Sequence, residues 1–235
     1  MWKTALSLCL LSQAAACVVV DESYEAPAAI SSRWSFLDLA TQTPTSCPEG
    51  FDTVAVNHQA IDEFGPYGPV FIDLYDCTAE RGTSLLDPAV YETWIEVTNH
   101  DRTRLYASSL SSVLDVVERD ATFEAEILND GGYFFLSWDL VGDDSNRTLA
   151  CSDARVTTIV ASSSSATSME TDEFPCRDEF GVTGAFLAGD YTVSLSATNG
   201  ERPVTSEPLQ LDSRAIRDRN RVTDLGHVSL PIPGK

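Results

Sequence analysis

Along most of this chain apolar residues recur at every second position rather than at every third or fourth. Residues 51–57, 70–75, 91–98 and 122–128 are short runs of Val, Ile, Thr and aromatics, each closed by Gly, Pro, Asp or Asn. The same alternation returns over 134–141, 156–161, 181–187, 191–198 and 228–232. A period of two puts successive side chains on opposite faces, so these runs predict half-buried strands. Residues 108–119 fit two descriptions, because Leu110, Val113, Leu114 and Val117 are also spaced as one face of a helix. The dipeptide Asn199-Gly200 predicts a type I′ hairpin turn, whose two central residues both need positive φ.

The strand pattern is duplicated. Trp34 and Trp138 each precede a cysteine, Cys47 or Cys151, by thirteen residues, and Thr53 and Val56 fall on Thr157 and Val160 at the same offset of 104. Farther on, Tyr91, Ile95, Thr98, Asn99 and Arg102 fall on Tyr191, Leu195, Thr198, Asn199 and Arg202 at an offset of 100. A repeat of this length is a whole domain. The chain therefore reads as all-β, two tandem antiparallel β-sandwiches over 30–129 and 133–233, with Asp130-Gly131-Gly132 as a turn-rich joint.

Cysteine usage changes the picture. Residues 1–16 have the weakly basic start, apolar run and small-residue end of a secretory signal, with Lys3 at one end and Ala14, Ala15 and Ala16 at the other. Cys9 leaves with that segment, Cys17 becomes the new N-terminus, and 18–29 reads as a tether. The other four cysteines allow three pairings. The duplication favours one of them, Cys47 with Cys77 and Cys151 with Cys176, one disulfide in each copy. No Cys-x-x-Cys spacing occurs, so these are staples rather than a redox pair. Export also removes one of the 15 basic residues and leaves 36 acidic ones, a net charge of −22. A field of that sign repels nucleic acid and anionic lipid. The stretch Ala14-Ala15-Ala16-Cys17 resembles a bacterial lipobox, and that resemblance implies an acyl group on Cys17 as the contact with a membrane; the alternative is ordinary cleavage that leaves a free or intermolecularly paired thiol there.

The stretch Ala14-Ala15-Ala16-Cys17, the tandem sandwiches with an early Trp and a cysteine pair, and the strand entry Gly189-Asp190-Tyr191-Thr192-Val193 together have a familiar look. The chain resembles tandem immunoglobulin-like or transthyretin-like repeat lipoproteins of Gram-negative envelopes. Its first copy carries Asp87-Pro88-Ala89-Val90-Tyr91 at the corresponding place, without the glycine. The resemblance implies an exported, outer-membrane-anchored lipoprotein and no particular reaction.

Candidate chemistry is sparse. There is no Gly-x-Ser-x-Gly elbow. His58, His100 and His227 fall near predicted strand ends, where solvated histidines are ordinary, although His58 and His100 have Asp101 as a possible companion. Ser162 to Ser165 read as a loop. Asp143, Asp144 and Asn146, with Asp139, form the densest set of oxygen ligands and the one calcium candidate; no other cofactor is expected. The same Gly142–Asn146 stretch is also good turn chemistry, and Asn146-Arg147-Thr148 is formally a glycosylation sequon. Arg214, Arg217, Arg219 and Arg221 stand against the acidic background; Arg217 and Arg219 are the candidates for docking an anionic partner, unless they neutralise Asp212, Asp218 and Asp224. The expected function is a non-enzymatic envelope lipoprotein that presents two sandwiches to an envelope protein or polysaccharide. The alternatives are a spacer without a ligand, and a hydrolase using a pair of carboxylates.

Overall fold

The computed structural model describes residues 26–235 apart from 201 and 218. The signal segment and Cys17 lie outside the described residues. Strands of four or more residues in the first half are β1 (Ala28–Asp38), β2 (Thr53–Asp62), β3 (Phe71–Asp76), β4 (Arg81–Leu86), β5 (Val90–Thr98), β6 (Leu105–Ser108), β7 (Ser112–Asp115) and β8 (Ala121–Leu128). The second half supplies β9 (Gly131–Gly142), β10 (Thr158–Ser164), β11 (Met169–Pro175), β12 (Gly189–Asn199) and β13 (Val222–Ile232), with shorter pieces such as Phe180–Val182, Phe186–Leu187 and Arg214–Ile216.

These strands form two sandwiches with one disulfide each. In the first, a sheet of β8, β1 and β4 faces a sheet in which β2 lies between β3 and β5, and β5 also pairs with β6 and β7. In the second, β9 with β13 and Phe180–Val182 faces β11, β10 and β12 in that order. Inward positions of both sheets fill each core: Ile30, Trp34, Phe36, Val54, Val56, Ile95 and Phe123 in one, Phe134, Leu136, Trp138, Ile159, Leu195 and Leu230 in the other. The pairing is antiparallel except where the first and last strands of each sandwich meet. β1 runs parallel to β8, and β9 to β13. A parallel pair needs a long crossover, and here the rest of each domain serves as that crossover.

The duplication reaches deeper than the residues that announce it. Cys47–Cys77 and Cys151–Cys176 close loops of 30 and 25 residues. The Trp34 indole donates to the Cys77 carbonyl at 2.8 Å, and Trp138 to that of Cys176 at 3.2 Å. Glu80 and Glu179, at φ +56° and +59°, end the short turns that carry these cysteines, and their carbonyls accept from the backbones of Trp34 and Trp138. Two residues later Gly82 and Gly181 lie under the rings of Tyr75 and Phe174, where a Cβ would approach ring carbons to 2.4 Å. The phenols of Tyr91 and Tyr191 donate to the carbonyls of Asp87 and Leu187, both at 2.9 Å, and anchor their strands to backbone four residues upstream.

Several expectations are corrected. The gapless match slips by one residue after Cys151: Thr53 pairs with Thr98, but Thr158, not Thr157, pairs with Thr198. The helical turn Cys151–Ala154 takes up the extra residue, and because the side-chain period is two, Ile159 and Ala161 rather than Val160 face the core. Residues 108–119 contain strand β7 and no helix. Gly131 and Gly132 are not a joint but the buried start of β9, and β1 begins within the stretch read as a tether. Ser162 to Ser164 belong to β10, with Ser163 buried. Asn199 pairs with Arg202, which makes Gly200, at φ +60°, the first central residue of the turn rather than the second. His58 is not a solvated strand end: it is fully buried in β2, hydrogen-bonded to Thr93 of its own sheet at 3.0 Å and to Ser84 of the facing sheet at 2.8 Å.

Candidate functional site: an aromatic groove between the sandwiches

Strand β5 alternates cleanly, with Tyr91, Thr93, Ile95 and Val97 buried and Glu92, Trp94 and Glu96 facing outward. In β9 the inward set is Phe134, Leu136, Trp138 and Leu140, which leaves Phe135 outward. Phe135 pairs with Val182 and Ser137 with Phe180, so Phe135 and Phe180 lie on one face with ring centroids 6.2 Å apart. Aromatic residues at outward positions serve no core of their own sandwich. Here the outward faces of the two sandwiches meet, and Trp94 and Leu110 from the first line one cleft with Phe135, Phe180, Val182 and Val222 from the second.

The cleft measures about 850 Å3 and opens to solvent. Its polar groups are few. Ser111 donates to the Glu92 carboxylate at 2.7 Å, and Ser109, which accepts from the Ile95 amide, ties the 109–111 loop to β5. The sandwiches are held in register by a buried asparagine. The side chain of Asn220 accepts from the Leu128 amide at 3.1 Å and donates to the Ser108 carbonyl at 2.8 Å, so a loop of the second sandwich grips two strand ends of the first. Arg219 stacks its guanidinium 4.5 Å from the centre of the Tyr106 ring, and Asp130 accepts from the amides of Leu39 and Ala40. Burial raises the Tyr106 phenol pKa, against the pull of Arg219.

The residues singled out from the sequence lie elsewhere or act differently. Asp139 points at His227, with 3.4 Å between carboxylate and Nε2, while Asp143 and Asp144 sit in a turn whose amides donate to Ile232 and Lys235. Asn146 holds a left-handed backbone in that turn. These four do not converge, and among the described residues no group of three His, Cys, Asp or Glu side chains is placed to hold a metal. His227 also contacts Ser137, which makes a row of hydroxyl, imidazole and carboxylate on the outer face of β9 and β13. The pairing of β9 with β13 shifts register beside this row, between Phe135 and Ser137, where Gly226 has φ +83°. His100 is exposed beyond the far end of β5 and does not meet His58. Arg217 pairs with Asp190 at 3.2 Å and Arg219 stacks on Tyr106; Asp224 caps the Gly226 amide, and Asp218 lies outside the described residues.

Nothing in the sequence reading reached the groove. One signal was there: Trp94-Ile95 and Tyr133-Phe134-Phe135-Leu136 are apolar at both parities, where a strand with one solvated face should alternate.

No protein-family description and no curated relative matches the sequence. Solved structures that superpose on it include a leucine-rich repeat protein from Bacteroides thetaiotaomicron at 12% identity and a TM-score of 0.41, covering 88% of this chain and 26% of that one. The chain thus spans about a quarter of that protein's length. The minor pilin of Streptococcus agalactiae superposes at 12% identity and a TM-score of 0.31 over 88% of this chain and 95% of its own. The fimbrial anchor protein Mfa2 from Porphyromonas gingivalis does so at 13% and 0.29 over 76% and 80%. These superpositions are too loose for any role to pass from those proteins to this chain.

Proposed function

We propose that the protein is a non-enzymatic envelope lipoprotein, acylated at Cys17 after loss of residues 1–16, that binds a neutral or amine-bearing polysaccharide in the groove between its sandwiches. The observation that carries this reading is the convergence of Trp94, Phe135 and Phe180 beside Glu92. Aromatic faces stack on the apolar C–H faces of sugar rings, and a carboxylate accepts from hydroxyl or ammonium groups. The acidic surface disfavours an anionic polymer. Cleavage by a carboxylate pair needs two such groups across the scissile bond, and Glu92 is the one carboxylate among the described lining residues. A spacer reading is favoured by a different observation, the Asn220 and Arg219 contacts that lock the two sandwiches together.

Thermal unfolding of the protein carrying Cys17→Ser, measured across a panel of polysaccharides, separates the two. The expected result is an upward shift of several degrees with neutral or aminated polymers, since ligand at 100 times its dissociation constant adds roughly 2.7 kcal/mol. Trp94→Ala should abolish that shift. No shift with any polymer, or one that Trp94→Ala leaves intact, gives the spacer reading the field.

A further inference from the structure

Two edge strands that occupy the same place in the duplicated fold have opposite surfaces. β3 and β11 each pair with the second strand of their sandwich and, among the described residues, with no other strand. By register, Phe71, Ile72, Leu74 and Asp76 stand where the second sandwich has Glu170, Thr171, Glu173 and Pro175. An edge strand offers a row of backbone donors and acceptors to any other strand, and charge or proline on the edge prevents the addition. The second sandwich uses both devices. The first has apolar side chains at three of those positions, beside the carboxylates Asp73 and Asp76: Ile72 and Leu74 are 40% and 52% exposed, next to Phe71 and, on the preceding hairpin, Tyr67 and Phe64.

The backbone of β3 is oriented for pairing. The Cys77 amide donates to the Asp52 carbonyl, so by antiparallel alternation residues 75, 73 and 71 turn their amides to β2 while those of Ile72 and Leu74 face the open edge. Tyr75 packs on the core, which places Ile72 and Leu74 on the outer face and Asp73 on the other.

We propose that β3 accepts an additional strand from a partner, an extended segment in which apolar residues alternate with lysine or arginine. Apolar residues of that segment lie beside Ile72 and Leu74, and its cations lie beside Asp73. Asp62 and Glu63 on the adjoining hairpin add to the negative field, and the chain as a whole carries −21. A second copy of the chain would bring like charges edge to edge, which is why a basic partner strand fits better. This inference does not rest on the groove reading, because it uses a different strand edge and a different ligand.

The test is amide hydrogen exchange on the protein carrying Cys17→Ser, with an acetylated and amidated peptide of alternating Lys and Val and its twin with Glu for Lys. Exchange at Ile72 and Leu74 should slow about tenfold with the lysine peptide and not with the glutamate peptide. The protection should vanish in Ile72→Thr/Leu74→Glu, which copies the second sandwich's own residues, and in Ile72→Pro, which removes one outward donor. Each variant is to be checked for a native melting transition. No protection, equal protection by both peptides, or protection that survives in either folded variant overturns the proposal. So does a dimer in sedimentation that the double variant dissolves, since that assigns the edge to a second copy.

Discussion

His58 is the residue at which burial and ionisation conflict most openly. Enclosed by the first core, with the Tyr91 ring edge-on at 6.4 Å, it has its pKa pushed down to about 4 by burial, and the charge of Asp73 offsets this only in part. The folded state therefore holds a neutral imidazole. The stability this contributes is complete above the unfolded value of about 6.5 and is lost as pH falls toward 4, because the unfolded chain takes up the proton first. Urea unfolding at pH 5 should show the first sandwich weakened by about 2 kcal/mol relative to pH 7, a dependence that His58→Gln removes. A residue with quite different chemistry is as tightly constrained. At Gly181 a methyl group would have to displace the Phe174 ring, so Gly181→Ala should cost about 1–3 kcal/mol in chemical denaturation, as should Gly82→Ala against Tyr75. Neither constraint is legible at its own position. A histidine inside the run Val54-Ala55-Val56-Asn57-His58 reads as its end, and only the facing hydroxyls of Thr93 and Ser84, 35 and 26 residues away, show that it can be buried with partners.

At the scale of the element, the disulfide turns are the most conserved device between the two copies. Each joins a cysteine to the strand that carries the buried tryptophan, through an indole donor and a glutamate in left-handed conformation. Loops of 30 and 25 residues give a chain-entropy stabilisation of roughly 3–4 kcal/mol each. Replacing Cys77 by Ser should lower the unfolding temperature of the first sandwich more than that of the second, and Cys176→Ser the reverse; differential scanning calorimetry of both variants in the Asn220→Ala background, where the transitions separate, checks this. Strand existence was legible because alternation is a local property. Strand register was not: the extra residue between Cys151 and Thr158 inverts which of Ile159 and Val160 is buried, and that depends on pairing with β12 rather than on the run itself. The parallel pairing of β1 with β8 was equally hidden, since strands about 90 residues apart carry no local sign of direction.

For the whole molecule, the decisive residue is Asn220. Buried in a loop of the second sandwich and bonded to Leu128 and Ser108 of the first, it couples two units that the repeat alone would leave independent. Asn220→Ala leaves a donor and an acceptor unpaired, which costs about 1–3 kcal/mol of coupling, and the expected calorimetric trace separates into two transitions where the parent shows a more concerted one. The same variant should weaken ligand capture in the groove, since the groove's two walls belong to different sandwiches. By itself the sequence determined the all-β class, the duplication and the disulfide partners, because alternation, repeat length and cysteine count are written along the chain and need no third dimension. Only the tertiary structure decided which outward-facing aromatics become a groove and which edge strand stays open. The groove arises where residues about 90 positions apart are brought side by side, as Trp94 is to Phe180, and the exposure of a side chain, at the open edge as in the groove, is a property of its neighbours rather than of its own place in the sequence.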